Sequence, residues 1–198
     1  MVEPHPAPTM ILATRNPHKL REFRRLIGDE QLQPLPDEVE LGPEVGETFA
    51  DNALAKARTA AAATGAVAIA DDSGIASQAL DGRPGVRSAR FAGEQATDEQ
   101  NLELLIAGAP AGSRLTYICV LAYVDPRSGV ERLFEGRCEG RMSAERRGSR
   151  GFGYDPVFLP EGGDGRTMAE LADAEKDAIS HRGEAIRALA DWLERGRP

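Results

Sequence analysis

Cysteine is scarce in this 198-residue sequence, which contains only Cys119 and Cys138. No Cys-x-x-Cys motif and no Cys/His cluster is present, so the sequence offers no zinc site of the usual spacing. Both cysteines lie in strand-like segments. We therefore expect them to be small buried hydrophobes in a reducing compartment, which predicts a cytoplasmic location.

Long apolar runs and internal repeats are also absent. The first nine residues, Met1 to Thr9, are rich in proline and resemble neither a signal peptide nor a membrane span. We expect residues 1–9 to be a disordered extension or the product of a start site placed too early. Residues 10–198 are expected to form a single domain with two lobes.

Basic residues are fewer than acidic ones, which gives a formal net charge of -8 and a pI of about 5.0. This balance argues against nonspecific binding to nucleic acid or to an anionic membrane. An acidic protein can still bind a polyphosphate through a local cluster of cations, including a metal ion.

The segment Ala66–Gly74 combines an apolar run with a polar end, and it is the central feature of the sequence. A short apolar run predicts a buried strand that ends at Asp71, Asp72, Ser73 and Gly74. Ligands bind at the carboxyl ends of strands in open α/β sheets, and paired carboxylates suit Mg²⁺ or Mn²⁺. The alternative is an Asx-type turn that only terminates the strand.

A second strand, Met10–Ala13, is followed by a polar loop and a helical pattern over Leu20–Ile27. Strand, loop and helix in this order can cradle a phosphate, with Lys19 adding a charge and Thr14 and Asn16 adding hydrogen bonds. The Walker A spacing is absent. The alternative is a helix-capping loop with a solvated lysine.

The middle of the chain contains a helix start and a hairpin. Thr48 and Asp51 form a capping-box-like start to a helix that runs to about Ala63. Lys56 lies one turn from Asn52 on that helix, and Glu44 precedes it. Leu115–Val124 is apolar on both faces, which predicts a central strand, and Val130–Phe134 follows as its hairpin partner.

Two later segments contain residues that could bind a flat ligand. One has glycines beside an aromatic ring, and the other has a group of hydrogen-bond donors. Glycines beside Phe152 would let a flat ligand approach the backbone and stack on the ring, although packing of the loop onto the core is the alternative. Lys176, His181 and Arg182 surround a helix start that Ser180 would cap, where hydrogen-bond donors and the positive helix end coincide.

These segments together resemble the inosine/xanthosine triphosphate pyrophosphatase family. The match runs in order from about Met10 to Leu193, and Phe-Gly-Tyr-Asp-Pro and Ile-Ser-His-Arg-Gly are its most specific parts. The five matching segments are Ala13–Lys19, Glu44–Lys56, Ala70–Gly74, Gly151–Pro156 and Glu175–Gly183.

The resemblance implies an elongated α/β fold, in which helices flank a long mixed β-sheet and two lobes enclose an active-site cleft. It also implies a homodimer that cleaves ITP, dITP and XTP to monophosphate and pyrophosphate with Mg²⁺, although the carboxylates would also suit Mn²⁺. Asp72 would be the catalytic carboxylate, and Glu44 and Asp72 would be the metal ligands. The expected phosphate and sugar contacts are Thr14, Asn16, Lys19, Lys56 and Ser73. The expected base contacts are Phe152, Gly153, Tyr154, Asp155, Lys176, His181 and Arg182.

The first loop departs from the commoner family pattern, because Arg15 and His18 stand where glycines are frequent. We include Arg15, Pro17 and His18 in the expected substrate-binding loop, where Arg15 would add its own charge. Two other functions stay open at this point: a regulatory module that binds a purine nucleotide without cleaving it, and a hydrolase of modified pyrimidine nucleotides.

Overall fold

A computed structural model of the protein describes residues 9–196, so the predicted N-terminal extension lies outside the described residues except for Thr9. The strands are β1 (Met10–Leu12), β2 (Leu32–Pro34), β3 (Ala68–Ser77), β4 (Arg114–Asp125), β5 (Val130–Met142) and β6 (Phe158–Pro160). The α-helices are α1 (Pro17–Ile27), α2 (Phe49–Thr64), α3 (Asp98–Gly108), α4 (Asp173–Ile179) and α5 (His181–Glu194).

The strands form a six-stranded sheet in the order β2-β1-β3-β4-β5-β6. Strand β1 pairs in parallel with β2 and β3, whereas β5 and β6 pair antiparallel. The mixed α/β class predicted from the sequence is therefore confirmed. Strand β4 lies between β3 and β5, as its two apolar faces predicted.

The prediction that a strand ends at the aspartates is wrong. Strand β3 continues through Asp71 and Asp72 to Ser77, and both carboxylates are buried within it. A buried carboxylate is tolerated when a partner compensates its charge, and Lys19 lies 3.1 Å from Asp71. The polar pattern alone could not reveal that compensation.

The second strand of the hairpin is also longer than predicted, since β5 runs to Met142 rather than ending at Phe134. Its second half alternates strictly between exposed charged residues and buried small or apolar residues. This is the pattern of a strand with one solvated face. The extension carries Gly136 and Cys138 into the interior.

Helix boundaries agree well with the local capping signals. Thr48 accepts from the Asp51 amide at 3.1 Å, and Thr97 and Gln100 form a capping box at the start of α3. The first helix begins at Pro17 rather than Leu20, because Asn16 caps it one turn earlier than the apolar pattern suggested.

The chain divides into two compact units. The first unit contains Val120–Phe134 and the described residues of 1–71 and 186–198, and the second contains Asp72–Cys119 and Glu135–Ala185. The core of the first unit consists of small residues from α2 packed with β1, β3 and β4 residues. The core of the second unit is built from larger side chains, which include Leu105, Leu115, Met168 and Phe158.

Over the described range, no helix is both long and apolar enough to cross a membrane.

Candidate active site

The loop after β1 is a helix-capping loop. The Asn16 carboxamide oxygen accepts from the amides of His18 and Lys19 at 2.8 and 3.3 Å, and Thr14 Oγ1 accepts from the Asn16 amide at 3.2 Å. Pro17 occupies the first position of α1. The loop therefore caps α1, as the alternative interpretation of the sequence predicted. It also places these amides at a helix N-terminus, which can bind a phosphate.

Lys19 is not the solvated lysine of that alternative. Its side chain is 13% exposed, and its ammonium lies 3.1 Å from the Asp71 carboxylate. The pair joins the start of α1 to β3 within the first unit. It fixes the ammonium group beside the capping loop.

The Arg15 side chain points at the backbone of the segment that follows β2. Its guanidinium donates at 2.6–3.3 Å to the carbonyl oxygens of Leu35, Pro36, Asp37 and Val39. A planar fork with several donors suits such a set of acceptors. The charge that we expected Arg15 to offer to phosphate is thus also used to brace this segment.

The capping loop lines a cavity of about 390 Å³ in the first unit. Its walls are Thr14, Arg15, Asn16, Pro17, Leu20 and the residues 34–37. His18 faces along α1 instead, where its Nδ1 lies 2.7 Å from the Arg21 guanidinium.

Glu44 and Lys56 form an ion pair, also within the first unit. Lys56 reaches back from the third turn of α2 to the loop before that helix, and its side chain is 11% exposed. The same loop is held by Asn52, which accepts from the Gly46 amide at 2.8 Å. A Cβ at Gly46 would come within 2.6 Å of that Asn52 oxygen, so the loop and helix approach too closely for a larger residue.

In the second unit, the start of α5 reaches β3. Arg182, which is 1% exposed, donates from Nη2 to Ser73 Oγ at 2.9 Å. Ser73 follows Asp72, whose Oδ1 accepts from the Ser73 amide at 3.0 Å. This bond brings the segment that contains Asp72 next to the cationic start of the last helix.

Asp155 is the centre of a buried hydrogen-bond network. Its Oδ2 accepts from Lys176 Nζ at 2.6 Å and from the Phe152 amide at 2.9 Å. Its Oδ1 accepts from the Tyr117 hydroxyl at 3.0 Å. Charge-assisted bonds of this kind hold both side chains of the Asp155–Lys176 pair in fixed positions.

The Phe152 ring lies beside two cations. The Lys176 ammonium is 5.2 Å from the ring centroid and the Arg182 guanidinium carbon is 5.9 Å from it. The ring is half-buried, whereas both cations are buried. The arrangement offers a flat surface with hydrogen-bond donors around it, which suits a purine base.

The glycines around Phe152 allow the close approaches of this loop. Gly151 has a φ of +71°, and a Cβ there would lie 2.0 Å from Asp155 Oδ2. Gly153 also has a positive φ, of +60°. Tyr154 instead anchors the loop to the core: it is buried, its hydroxyl donates to the Ser88 carbonyl at 2.7 Å, and burial raises its pKa.

The start of α4 is tied to the preceding loop. Arg166 donates from both terminal nitrogens to the Glu175 carboxylate, at 2.7 and 3.1 Å. These bonds, together with the Ala172 amide, lower the pKa of Glu175 to about 2. Glu175 is next to Lys176 in the sequence, so this exposed cluster orders the turn that carries the buried lysine.

Sequence reasoning missed Tyr117. His181 stacks on its ring, with the centroids 4.6 Å apart and the planes 5° from parallel. In the sequence Tyr117 is only one of several apolar residues on a strand. Its partners are distant along the chain, so no local signal could have found its role.

The predicted metal ligands are of the right chemical type. Glu44 and Asp72 offer hard carboxylate oxygens, and Mg²⁺ is commonly held by one or two carboxylates plus substrate phosphates. Within residues 9–196, no cluster of three His, Cys, Asp or Glu side chains forms a metal cage. The donor set therefore fits a metal that arrives with a nucleotide better than a metal bound by the protein alone.

Comparison with known proteins matches a model of the Ham1 family to residues 10–192. The dITP/XTP pyrophosphatase of Frankia alni is 48% identical over 93% of this chain and 96% of its own. That of Symbiobacterium thermophilum is 49% identical over 94% of this chain and 93% of its own. A solved HAM1 protein from Coxiella burnetii superposes with a TM-score of 0.81 at 39% identity, covering 94% of this chain and 98% of its own.

Proposed function

The chain belongs to the Ham1 family, and from that premise we propose that it hydrolyses ITP, dITP and XTP to the nucleoside monophosphate and pyrophosphate. The membership confirms the resemblance drawn from the five signature segments. The relatives from Frankia alni and Symbiobacterium thermophilum carry the name dITP/XTP pyrophosphatase over nearly their whole length. This activity removes aberrant purine nucleotides from the nucleotide pool.

The buried donor cluster of the second unit is the observation that carries the proposal. Lys176 and Arg182 flank the Phe152 ring, and Arg182 also bonds to Ser73, the neighbour of Asp72. Hypoxanthine and xanthine present an acceptor oxygen at position 6, which these donors can satisfy. Adenine presents a donor there, and donor facing donor leaves buried groups unpaired.

The chemistry is attack of water on the α-phosphorus with pyrophosphate as the leaving group. Asp72 orients the water and accepts its proton. Lys19, Lys56 and the amides of the first loop bind the phosphates, and each lysine is held by a carboxylate, Asp71 or Glu44. Their charges offset the negative charge that develops on the leaving group.

The remaining properties implied by the resemblance are part of the same proposal. Glu44 and Asp72 would hold Mg²⁺, which supplies further neutralisation of the triphosphate charge when bound. We also propose that the protein is a cytoplasmic homodimer. Its cysteines are compatible with a reducing compartment, because Cys119 and Cys138 are buried thiols and burial raises the pKa of Cys138 to about 12.

The test is a pyrophosphate-release assay with ITP, dITP, XTP, GTP and ATP in the presence of Mg²⁺. We expect ITP, dITP and XTP to be cleaved in preference to ATP. Replacement of Asp72 by Asn should lower kcat by about two orders of magnitude or more, the scale of losing a general base.

Asp125→Asn is the matched control, because Asp125 is a buried carboxylate at the end of β4. Its Oδ1 accepts from the amides of Arg127 and Ser128, and an asparagine oxygen can keep both bonds. Near-normal turnover by a folded Asp72→Asn protein would exclude the proposed role of Asp72. Equal cleavage of ATP and ITP would contradict the account of base selection. Neither the non-hydrolytic module nor the pyrimidine hydrolase has an observation in its favour.

A further inference from the structure

Tyr117 lies in the middle of the base-side network although its sequence context marks it only as a core residue. It belongs to β4 and is 7% exposed. Its ring packs against Phe158, which is fully buried, with the centroids 4.5 Å apart. The ring is therefore held from the core side and can serve as a fixed support.

The hydroxyl and the ring of Tyr117 each contact a different residue of the expected base-binding site. The hydroxyl donates to Asp155 Oδ1 at 3.0 Å, and the ring face carries the His181 imidazole at 4.6 Å. Asp155 and His181 are far apart in sequence but meet on this one residue. A displacement of Tyr117 would consequently disturb both.

The hydroxyl also affects Lys176 through Asp155. The Asp155 carboxylate is 3% exposed and binds the Lys176 ammonium through Oδ2. A donor on Oδ1 restrains the carboxylate against rotation about its last bond. The position of the Lys176 ammonium beside Phe152 thus depends on a hydrogen bond that Lys176 does not itself make.

We propose that Tyr117 is a positioning residue that sets the preference for 6-oxopurine bases, by fixing Asp155 with its hydroxyl and His181 with its ring. This inference rests on the proposed function. A 6-oxo substrate gains from a well-placed Lys176 donor, whereas a 6-amino substrate has no such bond to lose. Loosening the network should therefore weaken the binding of ITP more than the binding of ATP.

Tyr117→Phe separates the two contacts, since phenylalanine keeps the stacking ring and removes only the hydroxyl. We expect KM for ITP to rise about tenfold, the scale of one lost hydrogen bond to a buried charge. The ratio of kcat/KM for ITP to that for ATP should fall by about the same factor. We expect kcat for ITP to change less than KM, because Asp72 is untouched.

Tyr123→Phe is the matched control. Tyr123 is a fully buried tyrosine on the same strand, its ring packs against Trp192, and it belongs to the first unit. The substitution removes an equivalent hydroxyl outside the network. It should leave the KM for ITP and the ITP-to-ATP ratio unchanged.

Binding of the α,β-methylene analogues of ITP and ATP, measured by calorimetry, tests the inference apart from hydrolysis. The affinity ratio should fall about tenfold in Tyr117→Phe and stay constant in Tyr123→Phe. A wild-type protein that binds the ITP analogue but cleaves no triphosphate contradicts the proposed function, while the affinity ratio still decides the role of Tyr117. An unchanged ratio in folded Tyr117→Phe, or an equal loss for both analogues, overturns the inference. Failure of the wild type to bind either analogue overturns both.

Discussion

Arg15 makes a long-range contact from the loop before α1. Its guanidinium joins the loop before α1 to the backbone of residues 35–39. Backbone carbonyls in such a segment need donors, and a charged donor forms stronger bonds than a neutral one. The Arg15 side chain therefore ties this loop to the segment that follows β2.

Arg15→Ala should consequently lower the free energy of unfolding by about 1–2 kcal/mol, as measured by urea denaturation. Arg15→Lys should not restore the loss, because an ammonium lacks the planar fork that meets several carbonyls at once. Arg21→Ala, which removes an exposed partner of His18, should change stability by less than about 0.5 kcal/mol. Unchanged stability of Arg15→Ala combined with a raised KM would instead assign Arg15 to phosphate binding.

The sequence was enough to propose the residues of the site, but it did not predict the partners of each residue. The resemblance of the five segments to a known family supplied the Asp, Lys, His and Arg side chains of the expected site. Their pairing, Asp71 with Lys19 and Asp155 with Lys176, could not be chosen. Opposite charges are abundant in the chain, and only the fold decides which of them meet.

At the scale of elements, Gly136 sets how closely β5 approaches α5. A Cβ at Gly136 would lie 2.1 Å from the His181 carbonyl oxygen and 2.6 Å from the Ala185 amide. The neighbouring Arg137 amide donates to Glu184 at 2.7 Å, which uses the same close approach. The position of His181 and Arg182 therefore depends on the absence of a side chain on β5.

Gly136→Ala should destabilise the protein by about 1–3 kcal/mol, since the clash is with backbone atoms that cannot rotate away. It should also raise the KM for ITP, because the start of α5 must shift. Gly42→Ala is the matched control: nothing lies within 4 Å of its added Cβ, and stability should change by less than about 0.5 kcal/mol. Thermal unfolding and steady-state kinetics measure the two effects. Wild-type values in both for Gly136→Ala would contradict this account.

Elements were most predictable where their signals are local. Thr48 and Ser180 were each expected to begin a helix, and each accepts from a backbone amide of that helix. The end of β3 was missed for the opposite reason, because Asp71 and Ser73 have partners from other parts of the chain, which a local pattern cannot contain. The end of β5 was missed although the alternation of its charged and buried residues is a local signal.

For the whole molecule, the α/β class and the mixed sheet that the resemblance implied are confirmed. The predicted cleft between two lobes stays a prediction. The net charge of -8 confines anion binding to local cationic groups. Such groups can bind a triphosphate in an otherwise acidic protein, whereas a long polyanion would be repelled by the rest of the surface.

Ligand binding should be visible as a gain in global stability. The α,β-methylene analogue of ITP, at about 100 times its Kd with Mg²⁺, should add about 2.7 kcal/mol. For a chain of this size that corresponds to a rise in Tm of about 5–10 °C in differential scanning fluorimetry. The ATP analogue at the same concentration should give a smaller shift. Equal shifts would indicate that the base is not discriminated on binding.

The continuity of β3 has a consequence for how this protein tolerates changes in length. Asp71 faces its lysine partner in one unit and Ser73 faces its arginine partner in the other, and both assignments depend on the alternation of side chains along one strand. Inserting or deleting a single amino acid there would flip every downstream side chain to the opposite face. Indels are therefore excluded from this strand but permissible at exposed turns such as residues 161–165.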